Sequence, residues 1–140
     1  MIGLDISAVE SALINGEWKA ATIIAGSCCE ALLLYGLQHK ENATAGSIAT
    51  GCAEINWHGS TPLVGDLLDR SWNLFAYAEV AHHLQIISST TKTELAPSRE
   101  YRNLIHPAKS VRLNMPFDRG TAFVGAGALE HVVSDLRKNL

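Results

Sequence analysis

Residues 17–37 read Glu-Trp-Lys-Ala-Ala-Thr-Ile-Ile-Ala-Gly-Ser-Cys-Cys-Glu-Ala-Leu-Leu-Leu-Tyr-Gly-Leu. From Ala20 to Leu37 the run is almost wholly apolar, and Glu30 is its single charge. A segment of this length approaches the roughly 20 residues that span a bilayer. A lipid-facing helix would, however, have to hide the Glu30 carboxylate as well as the polar or small Thr22, Gly26 and Ser27. Helices that are apolar on every side also occur where other helices surround them. The run therefore predicts a central core helix over residues 17–39 and, with it, an all-helical fold.

Working outward, Ser7 followed by Glu10 has the spacing of a capping box, which predicts a short helix over 7–15 closed by Gly16. Residues 41–51 are small, polar and without period and read as a loop; 56–62, with Gly59, Ser60 and Pro62, should be irregular as well. A short helix is expected over 63–68 and a longer one over 72–87, with Trp72, Leu74, Phe75, Ala78, Val80, Ala81 and Leu84 facing inward. Residues 88–93 break that pattern. Residues 92–96 suit an early start to the next helix, with Pro97 in its first turn or at a kink, and the helix itself is expected over 97–105. His106 precedes Pro107 and so belongs at a frayed helix end, because a residue before proline is pushed away from helical geometry. Residues 108–120 read as a loop. Asp118 or Thr121 can cap a last helix reaching Asn139. No strand alternation persists, so the expectation is one domain over 1–140, an all-α bundle of five or six helices.

Composition narrows the functional classes. The chain has 140 residues, 47% hydrophobic and 18% charged, which suits a globular domain. Its formal charge of −3 supplies no global basic field. The charges are unevenly spread: residues 1–98 are strongly acidic, whereas 99–119 hold Arg99, Arg102, Lys109, Arg112 and Arg119 against only Glu100 and Asp118. That contrast favours a local anion site over a broad nucleic-acid footprint. Cys28, Cys29 and Cys52 form no disulfide framework and read as reduced, buried thiols. With an N-terminus that lacks the basic and apolar regions of a secretion signal, the expected location is the cytoplasm, with no membrane association.

The chemistry concentrates in Arg-Glu-Tyr-Arg-Asn-Leu-Ile-His-Pro, residues 99–107. At 100° per residue, Arg99, Arg102, Asn103 and His106 share an arc of about 100°, while Tyr101, Leu104 and Ile105 point away. Guanidinium groups grip anionic oxygens in a fork, and an imidazole moves protons near neutral pH, so this is the set of groups a phosphodiester site requires. A solvated face of an amphipathic helix would show the same stripe.

The stretch resembles the signature of the HEPN superfamily, all-helical domains whose motif is an arginine, four to six residues, then a histidine, commonly with a polar residue such as Asn before it. Arg99 to His106 has six intervening residues and fits, with Asn103 as the polar member. Arg102 to His106 has three and does not fit by itself, so the family role could fall to either arginine. The helical run at 17–37 and a closing helix over 121–140 are similar in architecture to such domains. The resemblance implies a metal-independent endoribonuclease, in a toxin or defence setting, with Arg99, Arg102, Asn103 and His106 as catalytic residues; the basic Lys109 and Arg112 of the following loop, together with Glu30, are the expected substrate-binding residues. It also implies a homodimer whose motif helices face each other across a twofold axis, RNA as substrate, an antitoxin or other protein as partner, and no metal or cofactor. The alternative is a non-catalytic dimeric binding or assembly module, which the acidic balance of the chain favours. A helical interaction protein using the stripe for interface hydrogen bonds is a third reading.

Other groupings carry less. His82 and His83 diverge by about 100° on a helix and cannot chelate one metal together. Cys52 and His58 match no zinc spacing. Residues 120–127 supply glycines without the Lys-Ser/Thr of a P-loop, and the Gly125–Ala128 patch suits close helix packing. Glu30 is expected either to pair with Arg99 or Arg102 and orient it, or to emerge at the bundle surface.

Overall fold

The computed structural model describes the backbone of residues 2–102 and 117–140 and the side chains of residues 6–97 and 117–140. Within these residues the chain forms six helices and no strand: α1 (Ile2–Ile14), α2 (Trp18–Ala43), α3 (Ser47–Glu54), α4 (Leu74–His83), α5 (Ser89–Arg102) and α6 (Arg119–Asn139). The fold is the expected all-α bundle.

Helix α2 is its axis. It packs against α1, α3, α4, α5 and α6, and Leu33 and Leu37 have no exposed surface. Burying each such leucine contributes about 1.5–3 kcal/mol. Small residues let the neighbours approach. Ala21 and Ala25 are fully buried, and a Cβ on Gly36 would stand 3.0 Å from Leu136 of α6 and 3.3 Å from Ile86. The helix is long and apolar enough to cross a membrane by length and composition, and just over half of its most apolar window is buried by the rest of the chain.

The helix boundaries differ from the sequence expectations in ways that backbone chemistry explains. Helix α1 begins at Ile2, so Ser7 lies within it and is no cap. It ends as expected at Gly16, where φ is +71° and the Gly16 and Glu17 N–H groups donate to the Leu13 and Ala12 carbonyls, the paired bonds of a Schellman motif. The loop expected over 41–51 is instead the end of α2, a short turn and the start of α3. Glu41 closes that turn, its carboxylate accepting from the N–H of Gly46 at 2.5 Å and of Ile48 at 3.0 Å. The helix expected over 63–68 is a run of turns. There Asp66 and Asp69 accept from the N–H groups of Leu68 and Ser71, bonds that compete with helical ones. Residues 56–62 are irregular, as expected.

Helix α4 starts two residues later than expected, capped by the Asn73 side chain accepting from Ala76 N–H at 2.9 Å. Of its inward candidates, Trp72, Leu74, Ala78, Val80 and Ala81 are buried, and Phe75 and Leu84 half-buried. It stops at His83 rather than Ile87 because Gln85 adopts φ +62°, with Gln85 and Ile86 donating to His82 and Ala81. This too is a Schellman closure, built without the usual glycine. Helix α5 starts at Ser89, so Pro97 lies inside it instead of in its first turn; inward-facing Thr91 and Leu95 hold down an otherwise polar stretch. Helix α6 is capped by Asp118 as expected, and the Thr121 side chain reciprocates. Gly125 and Ala128 are buried on α6.

A left-handed residue other than glycine costs about 1–2 kcal/mol. Exposed Gln85 →Gly is therefore expected to stabilise the fold by about 0.5–1 kcal/mol after the greater chain entropy of glycine is offset. The urea midpoint should rise at unchanged slope for Gln85→Gly and not for Gln85→Ala; equal midpoints for the two variants would contradict the left-handed closure.

Candidate functional site

The Arg/His stretch enters on α5. The backbone of that helix carries positions 99 and 102, while the side chains of Arg99 and Arg102, and the whole of Asn103, His106, Lys109 and Arg112, lie outside the described residues. Along α5 the buried Thr91 and Leu95 define the line turned toward the bundle. At 100° per residue, position 102 returns to within about 20° of Thr91 and position 99 stands about 40° from Leu95.

The first half of α5 is tied down on two sides. Its start is capped by Ser88, whose hydroxyl accepts from Thr91 N–H at 3.1 Å. One Asp135 carboxylate oxygen on α6 accepts from Ser88 N–H at 2.9 Å and from the Thr91 hydroxyl at 2.6 Å. A negative charge at a helix N-terminus is favourable in itself, because the free N–H groups and the helix dipole are positive there. Lys92 pairs with Glu79 of α4 at 3.0 Å. Glu94 holds the Nδ1 of His131 on α6. The hydrogen bond and charge of Glu94, with smaller contributions from Asp135 and Glu130, push the His131 imidazole up from its ordinary value.

Glu30 is half-buried on α2. Its charge bears on Tyr77 of α4, where burial first and then Glu30 and Asp66 raise the phenol, and on Cys29. The pairing expected between Glu30 and Arg99 or Arg102 falls on side chains outside the described residues. Cys28, Cys29 and Cys52 are buried thiols outside any disulfide; burial, then Cys28 and Glu30, push the Cys29 thiol up to about 12. A thiol held protonated is a poor nucleophile. Among the described residues no group of three or more His, Cys, Asp or Glu converges as a metal-ligand set. His83 instead lies 3.6 Å from Glu54.

Where the chain re-enters the described structure, an aromatic and basic cluster brings the starts of α2 and α6 together. The Trp18 and Phe123 rings are 6.3 Å apart. The Arg119 guanidinium stands 5.2 Å from the centre of the Phe123 ring, and the Lys19 ammonium 5.6 Å from that of Phe117. These are cation–π distances, and Phe123 is about half exposed. A shallow depression of about 520 Å³ runs beside Trp18 along Ile23 and Ile24. Of the cluster's rings only Phe123 is exposed, and Trp18 and Phe117 are half-buried. Glu17 and Asp118 stand at the same end, and Asp118 is engaged as the cap of α6. Sequence reasoning missed this cluster; the four-residue spacing of Arg119 and Phe123 was its only local signal, since Trp18 and Lys19 arrive through tertiary packing.

Two outcomes follow from the α5–α6 contacts. Asp135→Ala should lower stability by about 1–3 kcal/mol, since it strips a charged acceptor from Ser88 and Thr91; a change under about 0.5 kcal/mol in urea unfolding would contradict the bonds. For His131, whose folded value is raised, the stabilising pair is fully present below the unfolded value of about 6.5 and is lost as pH rises through the folded one. A proton NMR titration should place His131 above the ordinary histidine range and Glu94→Gln should return it. Wild type should exceed Glu94→Gln in stability near pH 6 and match it near pH 9. The pair is solvent-exposed, so the difference will be small.

No protein-family model, no curated protein and no solved structure matches this chain.

Proposed function

We propose that this protein is a metal-independent endoribonuclease of HEPN type, acting as a homodimer whose two motif helices face each other across a twofold axis. The observation that carries the reading is the Arg99-x6-His106 spacing with Asn103 before the histidine. The all-helical bundle is consistent with it, as is the aromatic and basic cluster beyond the motif segment.

In the proposed reaction the ribose 2′-hydroxyl attacks its neighbouring phosphorus while the bond to the departing 5′-oxygen breaks. The products are a 2′,3′-cyclic phosphate and a 5′-hydroxyl. His106 takes the proton from the attacking oxygen or gives one to the leaving oxygen, and two copies across the dimer would supply both roles. Arg99 or Arg102 neutralises the charge that grows on the phosphorane oxygens, and Asn103 positions the phosphate or the imidazole. Lys109 and Arg112 would hold the flanking phosphates, and Glu30 would orient an arginine. An antitoxin-like protein partner and a cytoplasmic setting belong to the same proposal; three buried thiols suit a reducing compartment.

The net charge of −3 favours a second reading, a dimeric module that binds RNA or an acidic partner at the same face without cleaving it. RNA incubated with the protein in EDTA separates the two. Wild type is expected to release fragments with 5′-hydroxyl ends, with His106→Ala slower by at least a hundredfold and Arg99→Ala weaker in RNA retention. Intact RNA with folded, dimeric wild type would remove the nuclease reading, and unchanged retention by Arg99→Ala would remove the binding one.

A further inference from the structure

Helix α6 shows solvent a stripe that is complementary to itself. Glu130, Ser134 and Arg137 are exposed on it. With the half-buried Ala126 and Val133 they form one wall of a groove of about 420 Å³, whose other wall includes Val9, Glu10 and Leu13 of α1. Among the described residues neither Glu130 nor Arg137 takes part in an ion pair. The two stand seven residues apart in the chain, close to two helical turns, so their charges share one side of α6 about 10 Å apart along its axis.

An antiparallel copy of the same helix reverses the order of the charges. With a twofold axis between Val133 and Ser134, position 130 comes level with position 137 of the second copy, and 137 with 130. Glu130 then meets the partner's Arg137, and Arg137 meets the partner's Glu130. A parallel copy in register would instead set like charge against like. Side-chain size agrees with this register independently of charge. Leu140, 38% exposed, comes level with positions 126 and 127 of the second copy, an alanine and a glycine, and a Cβ on Gly127 would meet nothing within 4 Å. Neither residue at the axis, Val133 or Ser134, is bulky. Each α6 thereby lies along the α1–α6 groove of the other copy, in the manner of a four-helix bundle. Glu10, on the α1 wall, is exposed and keeps its water at the rim, so the contact itself sets two carboxylates against two guanidinium groups.

We infer that two copies of this chain pair through α6, antiparallel about a twofold axis at Val133 and Ser134, with Glu130 of each against the partner's Arg137. A twofold contact presents the same surface from both copies and closes on itself. It uses the outer face of α6 and not the motif stretch that begins on α5, so it is distinct from the dimer proposed for RNA cleavage and does not depend on it. Its test reads pairing and makes no use of that activity.

Sedimentation across protein concentration follows wild type, Glu130→Arg, Arg137→Glu, the double swap of both, and an equimolar mixture of the two single variants, each protein verified as helical by circular dichroism. Wild type should gain mass with concentration. Each single variant sets like charges against each other twice, so its association should weaken roughly tenfold or more. The double swap restores both pairs and should associate as wild type does. The mixture should recover as well, because one copy then brings two cations and the other two carboxylates. Ser134→Cys, placed beside the axis, should crosslink to a second copy of itself when oxidised with diamide, and adding Glu130→Arg should abolish the crosslink; the native Cys28, Cys29 and Cys52 are buried. Wild type of constant mass, single variants that associate as wild type does, a double swap or mixture that stays weak, or a missing Ser134→Cys crosslink would each overturn the inference.

Discussion

Leu33 and Leu37 leave no surface to solvent because α2 is enclosed by all five other described helices, and the rest of the structure depends on that enclosure. An apolar rod in water has to be covered. Here the cover consists of α1 and α6 along much of its length, with α4 and α5 on another side. Gly36 and the alanines set how closely the covering helices approach; larger residues there would hold Leu136 and Ile86 away. The same enclosure turns a segment with the length of a membrane span into the core of the bundle.

Helix α5 is covered less by grease than by polar ties. Only Thr91 and Leu95 among its described side chains are buried, and its orientation is set by Asp135 at the N-terminus, by Glu94 with His131, and by Lys92 with Glu79. Whatever the Arg99 and Arg102 positions do, they do it at the end of a helix anchored from its beginning. That arrangement suits a functional segment: its base is fixed to the scaffold and its far end leads into the stretch that holds Asn103 and His106.

The core was legible because its signal was local. Residues 20–37 are almost wholly apolar, and a Schellman glycine at Gly16 and a capping aspartate at Asp118 mark the end of α1 and the start of α6 in plain sequence. What escaped had its cause elsewhere in the chain. Helix α3 depends on Glu41 reaching back over its N-terminus, and α4 ends at Gln85, a residue type that gives no stop signal. Helix α5 begins in Ser-Ser-Thr-Thr-Lys-Thr, whose polarity concealed one buried threonine and the distant carboxylate of Asp135 that satisfies it. The candidate site divides in the same way. The Arg/His spacing could be read from nine consecutive residues, whereas Trp18 meeting Phe123, and Lys19 meeting Phe117, required the fold to bring two helix starts together.

Helix α2 is the last element to open, and α5 is held to it both directly and through α6. Amide hydrogen exchange followed by residue tests this directly. Amides of residues 28–37 should exchange only through global unfolding, with a free energy equal to that from urea, and those of residues 92–96 should be protected with them. Exchange of residues 28–37 through local opening, or release of residues 92–96 well before α6, would contradict the account.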